Sequence, residues 1–311
     1  MIIDGNPALL LGFGIVSMVL VGASWTVAGY LTGKAPKLNI DVAGLMCLCF
    51  SMGFAVSIVI ALCTGIPDAS LCSWLLGFGM LVACGIVNAF QLKILAIAMQ
   101  KGPNGIIWTI AQSSFVFPFA IGVFCFNTPV GEIRAAGFAL VIISLILFGI
   151  GGNNESKGNW KPWALLAFVV TGASQTLSNL PSYFEAADPI TTWWRTSAFM
   201  LGLMAGSAMT HFHRLPEFFR MIGKMVKQPI VLKLGALNGF VNLFASLFFF
   251  FPGMNALEKA NAGAIAYPIM VCSCLIVFEL YTVIFLREKR SFTQLLALLL
   301  CIAGAVGIAF K

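Results

Sequence analysis

The sequence is short of charge. Of its 311 residues, 9% are Asp, Glu, Lys or Arg and 60% are hydrophobic. A soluble domain carries about a quarter charged residues, so an ordinary water-facing surface is excluded. Histidine is scarce too: only His211 and His213 are present. There is no HExxH pair, no metal-type CxxC pair, no Gly-rich phosphate loop and no Ser-His-Asp set. These absences argue against an ATPase, a metalloenzyme and a hydrolase, so no enzymatic activity, metal or cofactor is expected. The nine cysteines all fall in or beside apolar stretches, where they serve as small apolar fillers. No basic segment precedes the first apolar stretch, which is also too long for a cleavable signal peptide. The alternating pattern of a membrane barrel is missing as well.

What is present is a series of apolar stretches, each near the roughly 20 residues that a membrane helix needs. Irregular backbone cannot face lipid, so spans of this kind must be helices. Ten are expected, at about 8–30, 42–64, 73–99, 104–126, 132–151, 162–181, 190–210, 231–252, 261–286 and 292–310. The net charge of +7 is spread over several loops and does not form one patch, which argues against nucleic acid and for the topology signal of membrane proteins. The loops after the odd spans hold thirteen Lys and Arg, among them Lys34, Lys101, Lys157, Arg220 and Arg290. The other side holds Arg134, Arg195, Lys259 and Lys311. The bias puts the odd loops in the cytoplasm and both termini outside. In the longest loop, Leu215, Phe218, Phe219, Ile222 and Val226 recur at helical spacing among Arg214, Arg220, Lys224 and Lys227. That predicts a basic amphipathic helix on the inner leaflet, with a solvated linker as the alternative.

The chain also repeats itself. Gly22-Ala23-Ser24-Trp25-Thr26 in the first span matches Gly172-Ala173-Ser174-Gln175-Thr176 in the sixth. Gly85-Ile86-Val87-Asn88-Ala89-Phe90 matches Gly239-Phe240-Val241-Asn242-Leu243-Phe244, and Lys101-Gly102-Pro103-Asn104-Gly105 matches Lys259-Ala260-Asn261-Ala262-Gly263. The order is kept and the offsets drift slowly, which chance matches between apolar helices do not do. The expected organisation is an all-α membrane protein of ten transmembrane helices. Residues 1–151 form a first five-helix repeat, 152–161 a linker and 162–311 a second repeat. Five is odd, so the second copy enters the bilayer from the opposite face. Inverted repeats of this kind support alternating access to a site near the midplane.

This layout resembles the drug/metabolite transporter superfamily, with EamA-like halves, over nearly the whole chain. The ends of the halves carry the resemblance: Glu132-Ile133-Arg134 with Gly137, and Arg287-Glu288-Lys289-Arg290 with Gly304. Ser144 and Ala297 stand where the family pattern has glycine. The lysine-rich first loop is similar to that of the rhamnose–proton symporter and its sugar-uptake relatives. The resemblance implies a secondary transporter with a small-molecule substrate in a bacterial inner membrane, and tilts the substrate toward sugars. Family members are usually drawn with both termini cytoplasmic, opposite to the charge count here.

Polar side chains inside spans are the candidate site, because an unsatisfied polar group in a bilayer is costly. Trp25 and Gln175 are equivalent in the repeat, as are Asn88 and Asn242. Trp108 and Gln112 share a face of the fourth span, and Tyr267 stands near the equivalent of Trp108 in the ninth. A Trp–Tyr clamp, amides for hydroxyls and a stacking face suit an uncharged polar ring; close helix packing and interhelical bonding explain the same residues at least as well, and the two Asn better. Lys93 and Glu279 lie eight residues before Lys101 and Arg287. Their similar depth suggests an ion pair or gate, with a snorkelling Lys93 or a proton-coupling Glu279 as alternatives. The function expected is transport of a small polar metabolite. Amino-acid, nucleobase or drug export, or a non-transporting receptor or scaffold, are the other readings.

Overall fold

The structure is a computed structural model and describes residues 7–126, 130–150, 158–260 and 262–309. The expected linker core Gly152–Lys157, together with Asn261 and Lys311, lies outside them. The described residues are helical, with no strand among them. The helices are α1 (Pro7–Lys34), α2 (Val42–Cys63), α3 (Leu71–Lys101), α4 (Asn104–Phe126), α5 (Glu132–Ile150), α6 (Lys161–Asn179), α7 (Thr192–Met209), α8 (Leu215–Met225), α9 (Pro229–Leu257), α10 (Ala266–Ile284) and α11 (Phe292–Ala309). Six of these, α1 to α4, α9 and α10, are long and apolar enough to cross a membrane. The protein is an all-helical, multi-pass membrane protein.

Sequence fixes the helix boundaries locally. Asp41 starts α2 by accepting a 2.7 Å hydrogen bond from the Gly44 amide. Ser70 starts α3 by accepting from the Ser73 amide at 3.1 Å. Pro162 and Pro229 open α6 and α9, where their missing donors cost nothing. Pro118 cannot donate to the Ser114 carbonyl, and α4 tightens into a 3-10 turn at Ser113–Phe115 just before it. A wider π-type turn interrupts α9 at Ala245–Phe250, a distortion often found at functional sites.

The first and last five long helices do not form separate lobes. The most extensive packing joins one half to the other: α1 with α10, α3 with α6 and α7, α2 with α7 and α9, α4 with α6, and α5 with α11. Glycines permit the closest of these approaches. A Cβ on Gly137 would stand 2.6 Å from the Gly304 carbonyl oxygen, and one on Gly304 would stand 2.6 Å from that of Gly137. Small residues at such crossings let backbones meet where water-driven association is absent. Gly137→Ala is expected to cost about 1–3 kcal/mol through this overpacking. Thermal unfolding in detergent checks it, and an unchanged midpoint would mean that α5 and α11 separate freely.

Helix ends gather at two poles. Lys34, Asp41, Lys101, Asn104, Trp160, His211 and Glu288 lie at one, which also carries most of the basic residues. It is called the basic end below. Contacts there include Gly33 against Asn104, Gly102 against Trp160, and Lys101 over the Trp163 ring. Gly65, Phe126, Tyr183 and Trp194 lie at the other pole, joined by the Trp194 indole donating to the Gly65 carbonyl at 3.0 Å and by the stacked rings of Phe126 and Tyr183.

The expected amphipathic helix is α8, but part of its apolar face meets protein. Phe218 is buried with Ala43 and Cys47 and stacks on His211 at 4.7 Å, and Met225 packs near Gly44. Phe219 and Val226 are left exposed with Arg220, Lys224 and Lys227.

Candidate functional site

Side chains from seven long helices enclose a central cavity of about 110 Å³. The first half contributes Trp25 of α1, Asn88 and Gln91 of α3, and Trp108 and Gln112 of α4. The second contributes Ser174, Gln175 and Ser178 of α6 and Asn242 and Ser246 of α9. Trp25 and Gln175 thus face one space, although their helices pack elsewhere. The closest neighbour of Gly22 is Met270 on α10, and that of Gly172 is Phe117 on α4.

The polar groups form two short chains. Ser114 donates to Gln175 Oε1 at 3.2 Å, and Gln175 Nε2 donates to Gln112 Oε1 at 3.3 Å. Asn88 Nδ2 donates to Gln91 Oε1 at 3.1 Å and to Ser174 Oγ at 3.3 Å. Asn242 Nδ2 folds back onto Asn238, at 2.9 Å from both its carbonyl and its side-chain oxygen. The other ends of these amides, including Gln91 Nε2, Gln112 Nε2, Asn88 Oδ1 and Asn242 Oδ1, have no hydrogen-bond partner among the described residues. They present both donors and acceptors to whatever fills the cavity. None of the residues lining it is Asp, Glu, Lys, Arg or His.

Two expectations need correction. Trp108 lines this cavity, with its indole nitrogen donating to Cys274 Sγ at 3.2 Å. Tyr267 does not; it lines a second cavity and bonds through its hydroxyl to Ser178. The two aromatics therefore do not clamp one ligand: Tyr267 stands one residue past the position equivalent to Trp108, about 100° further around the helix, and its hydroxyl meets Ser178. Lys93 and Glu279 do not pair either. Lys93 Nζ donates to the Thr210 carbonyl at 2.8 Å, at the C-terminus of α7, where a cation is favoured. Depth along a helix does not fix the direction in which a side chain points: α3 turns Lys93 toward α7, whereas α10 turns Glu279 toward α4.

Glu279 instead belongs to a cluster that closes the basic end. Arg290 donates to Glu279 Oε2 from Nε at 3.0 Å and from NH2 at 2.9 Å, and its NH2 lies 2.9 Å from Glu288 Oε2. Glu288 in turn accepts from the amides of Asn104 at 2.9 Å and Gly105 at 3.2 Å, the exposed donors that begin α4. Thr109 and Thr282 add hydroxyls to the Glu279 carboxylate. A Cβ on Gly105 would fall 2.1 Å from Arg290 NH2 and 2.6 Å from Glu279 Oε1, so the cluster would have to shift to admit one. Sequence reading singled out Glu279 but missed Arg290 as its partner. The signal was the Arg287-Glu288-Lys289-Arg290 turn, which can fold back on the helix it follows.

A smaller ionic group stands nearby. His211 Nε2 lies 3.7 Å from Asp41 Oδ2, and its Nδ1 is 3.0 Å from the Thr210 hydroxyl. Burial pushes the His211 imidazole below its usual range; Asp41 pulls it up and Lys93 pushes it further down, and burial outweighs the carboxylate. The folded state therefore binds fewer protons at this ring than the unfolded chain. Its contribution to stability is present above the unfolded value of about 6.5 and is lost as pH falls toward the lower folded value. Unfolding midpoints at pH 7.5 and 5.5 are expected to differ more in the native chain than in His211→Phe, which keeps the stack on Phe218.

The second cavity, of about 300 Å³, opens toward the other pole. It is lined by Arg134 of α5, by Asn179 at the end of α6, by Ser182 and Tyr183 after it, by Tyr267 and Pro268 of α10 and by Gly122 of α4. The Tyr267–Ser178 hydrogen bond separates it from the central one, since Ser178 lines the central cavity. Asn179 Nδ2 donates to the Tyr183 hydroxyl at 3.4 Å.

No family model matches the chain, and neither does any curated protein. Among solved structures it is similar to one described only as a crystal structure of a protein, with a TM-score of 0.51 and 16% identity over 96% of each chain. At that identity the likeness is one of fold alone, and it extends over nearly the whole length.

Proposed function

We propose that the protein is a secondary transporter of a small uncharged polar solute, sugar-like in its hydrogen bonding. In this reading ten helices cross a bacterial inner membrane as two inverted repeats of the drug/metabolite transporter kind. The central cavity carries the reading: it lies between the halves, it is uncharged, and its amides offer donors and acceptors together. Hydroxyl-rich solutes match such a lining, because each hydroxyl both gives and takes a hydrogen bond. An ionised solute would enter it unpaired at high cost. The volume of about 110 Å³ is below the 300–1,000 Å³ typical of drug-sized ligands, which favours a small metabolite over a drug.

The repeat is supported by the packing. Exchanging the first half for the second turns the α1–α10 contact into α6–α4, α3–α6 into α9–α1, and α3–α7 into α9–α2. It leaves α2–α7, α4–α10 and α5–α11 as they are, and all nine of these contacts are present. A bundle that maps onto itself in this way has two equivalent arrangements, which is the physical basis of alternating access. In the present one, Arg290 and its carboxylates close the basic end.

Counterflow into proteoliposomes tests the reading. Purified protein loaded with an unlabelled monosaccharide or polyol is expected to draw in the labelled compound transiently above equilibrium. Non-saturable entry would point to a channel, and no entry across a panel of neutral metabolites would point to a receptor or scaffold.

A further inference from the structure

We propose that α8 is a docking element for anionic phospholipid, with Arg220, Lys224 and Lys227 taking the headgroups. Successive residues of a helix stand about 100° apart, and on that count α8 has four sides. Phe218, Met221, Ile222 and Met225 share the first. It is spent on protein: Phe218 and Met225 are buried, Phe218 packs with Ala43 and Cys47 of α2, and a Cβ on Gly44 would stand 2.8 Å from Met225 Sδ. About a quarter turn away lie Phe219 and Val226, 56% and 41% exposed; Val226 keeps the right-handed helical conformation just past Met225. Arg220, Lys224 and Lys227 follow on the side turned away from the protein, and all three are exposed. Glu217, the one acid of α8, stands opposite Phe219 and Val226.

This order of sides matches a helix lying at a membrane surface beside its own bundle. With the buried side on protein, the exposed apolar pair faces the acyl boundary, the basic side faces phosphates and Glu217 faces water. A solvated linker has no use for the apolar pair, and a helix that only seats on protein has no use for the basic side. Among the described residues Arg220, Lys224 and Lys227 make no salt bridge, so their charge is open to anions from outside. The place along the chain selects lipid over a protein partner. Val226, Lys227 and Gln228 alone separate α8 from Pro229, where α9 begins, and α9 is long and apolar enough to cross a membrane. Ile230, Leu237 and Phe240 make its first turns exposed and apolar. The basic side of α8 therefore stands where a membrane span begins, at the depth of the headgroups. Only the folded chain lines these groups up, so bound lipid stabilises it through the seat of α8 on α2.

Thermal unfolding of the full chain in neutral detergent gives the test. Phosphatidylglycerol, phosphatidylcholine of the same acyl chains and free glycerol phosphate are each titrated in. Phosphatidylglycerol is expected to raise the midpoint saturably, and the other two are not. A basic side chain near an anionic surface adds about fivefold in affinity. Arg220→Gln/Lys224→Gln/Lys227→Gln is therefore expected to raise the half-saturating lipid concentration about 10²-fold and to leave the lipid-free midpoint unchanged. Lys34→Gln/Lys37→Gln/Lys101→Gln removes the same charge from the same pole and is expected to shift it by less than about fivefold. Phe219→Ser/Val226→Ser is expected to weaken the response with every charge in place. Arg220→Lys/Lys224→Arg/Lys227→Arg keeps the charge and is expected to keep the response. Equal responses to the two lipids, equal losses in the two glutamine variants, or a lost response in the charge-preserving variant would overturn the proposal. So would a glycerol phosphate response as large as that to phosphatidylglycerol, which would mark an anion site without membrane contact.

Discussion

Arg290→Ala is expected to destabilise the protein by about 3–5 kcal/mol, the usual cost of removing one partner from a buried ion pair. The arginine and Glu279 side chains are 6% and 9% exposed, so water cannot take over the lost hydrogen bonds. Two carboxylates, Glu279 and Glu288, would be left facing one another with only hydroxyl and amide donors between them. The damage is expected to spread along the chain, since Glu288 holds the first amides of α4. Arg290→Lys is expected to recover part of the loss, because an ammonium restores the charge and not the fork. Replacing Arg290, Glu279 and Glu288 together by Met, Leu and Leu is expected to be milder than Arg290→Ala, because it leaves no buried charge unpaired. Unfolding midpoints of the detergent-purified variants decide the matter. A single mutant as stable as the native chain would mean that water reaches the cluster and that the basic end is not sealed.

The sequence revealed position along each helix far better than direction around it. Apolar length and charge breaks located the helices along the chain, six of them long and apolar enough to cross a membrane. Trp25, Asn88, Gln175 and Asn242, picked out by matching segments of sequence, line one cavity. Azimuth was less legible. Lys93 and Glu279 reach the same end on different sides of the bundle, and one residue of offset in α10, about 100° around the helix, turns Tyr267 toward Ser178 and the second cavity. The pairing of Arg290 was hidden by a reversal of the chain between α10 and α11, with Arg287 at a left-handed φ of 53°. No periodicity signals such a turn in a non-glycine residue.

Asn88→Leu with Gln175→Leu is expected to lower solute uptake on the order of 10²-fold or more while leaving the bundle folded. Each substitution keeps a side chain of similar size and removes amide groups aimed at the cavity. A buried group left without its partner costs about 1–3 kcal/mol, and each 1.4 kcal/mol is tenfold in affinity, so two such losses reach this range. The substitutions also break internal bonds: Asn88 loses Gln91 and Ser174, and Gln175 loses Gln112 and Ser114. Stability must therefore be measured beside transport. Apolar replacement of both ends of a polar contact is often nearly neutral, so Gln112→Leu with Gln175→Leu is the control for folding. If the amides only tie helices together, uptake should fall in step with the unfolding midpoint. If they meet the solute, the apparent affinity should drop in variants whose midpoint is unchanged, and Asn88→Asp, which puts an uncompensated charge on the wall, should suppress uptake further. Intact uptake in Asn88→Leu/Gln175→Leu would show that the solute takes another route, and the central cavity would then be only a packing defect between the halves.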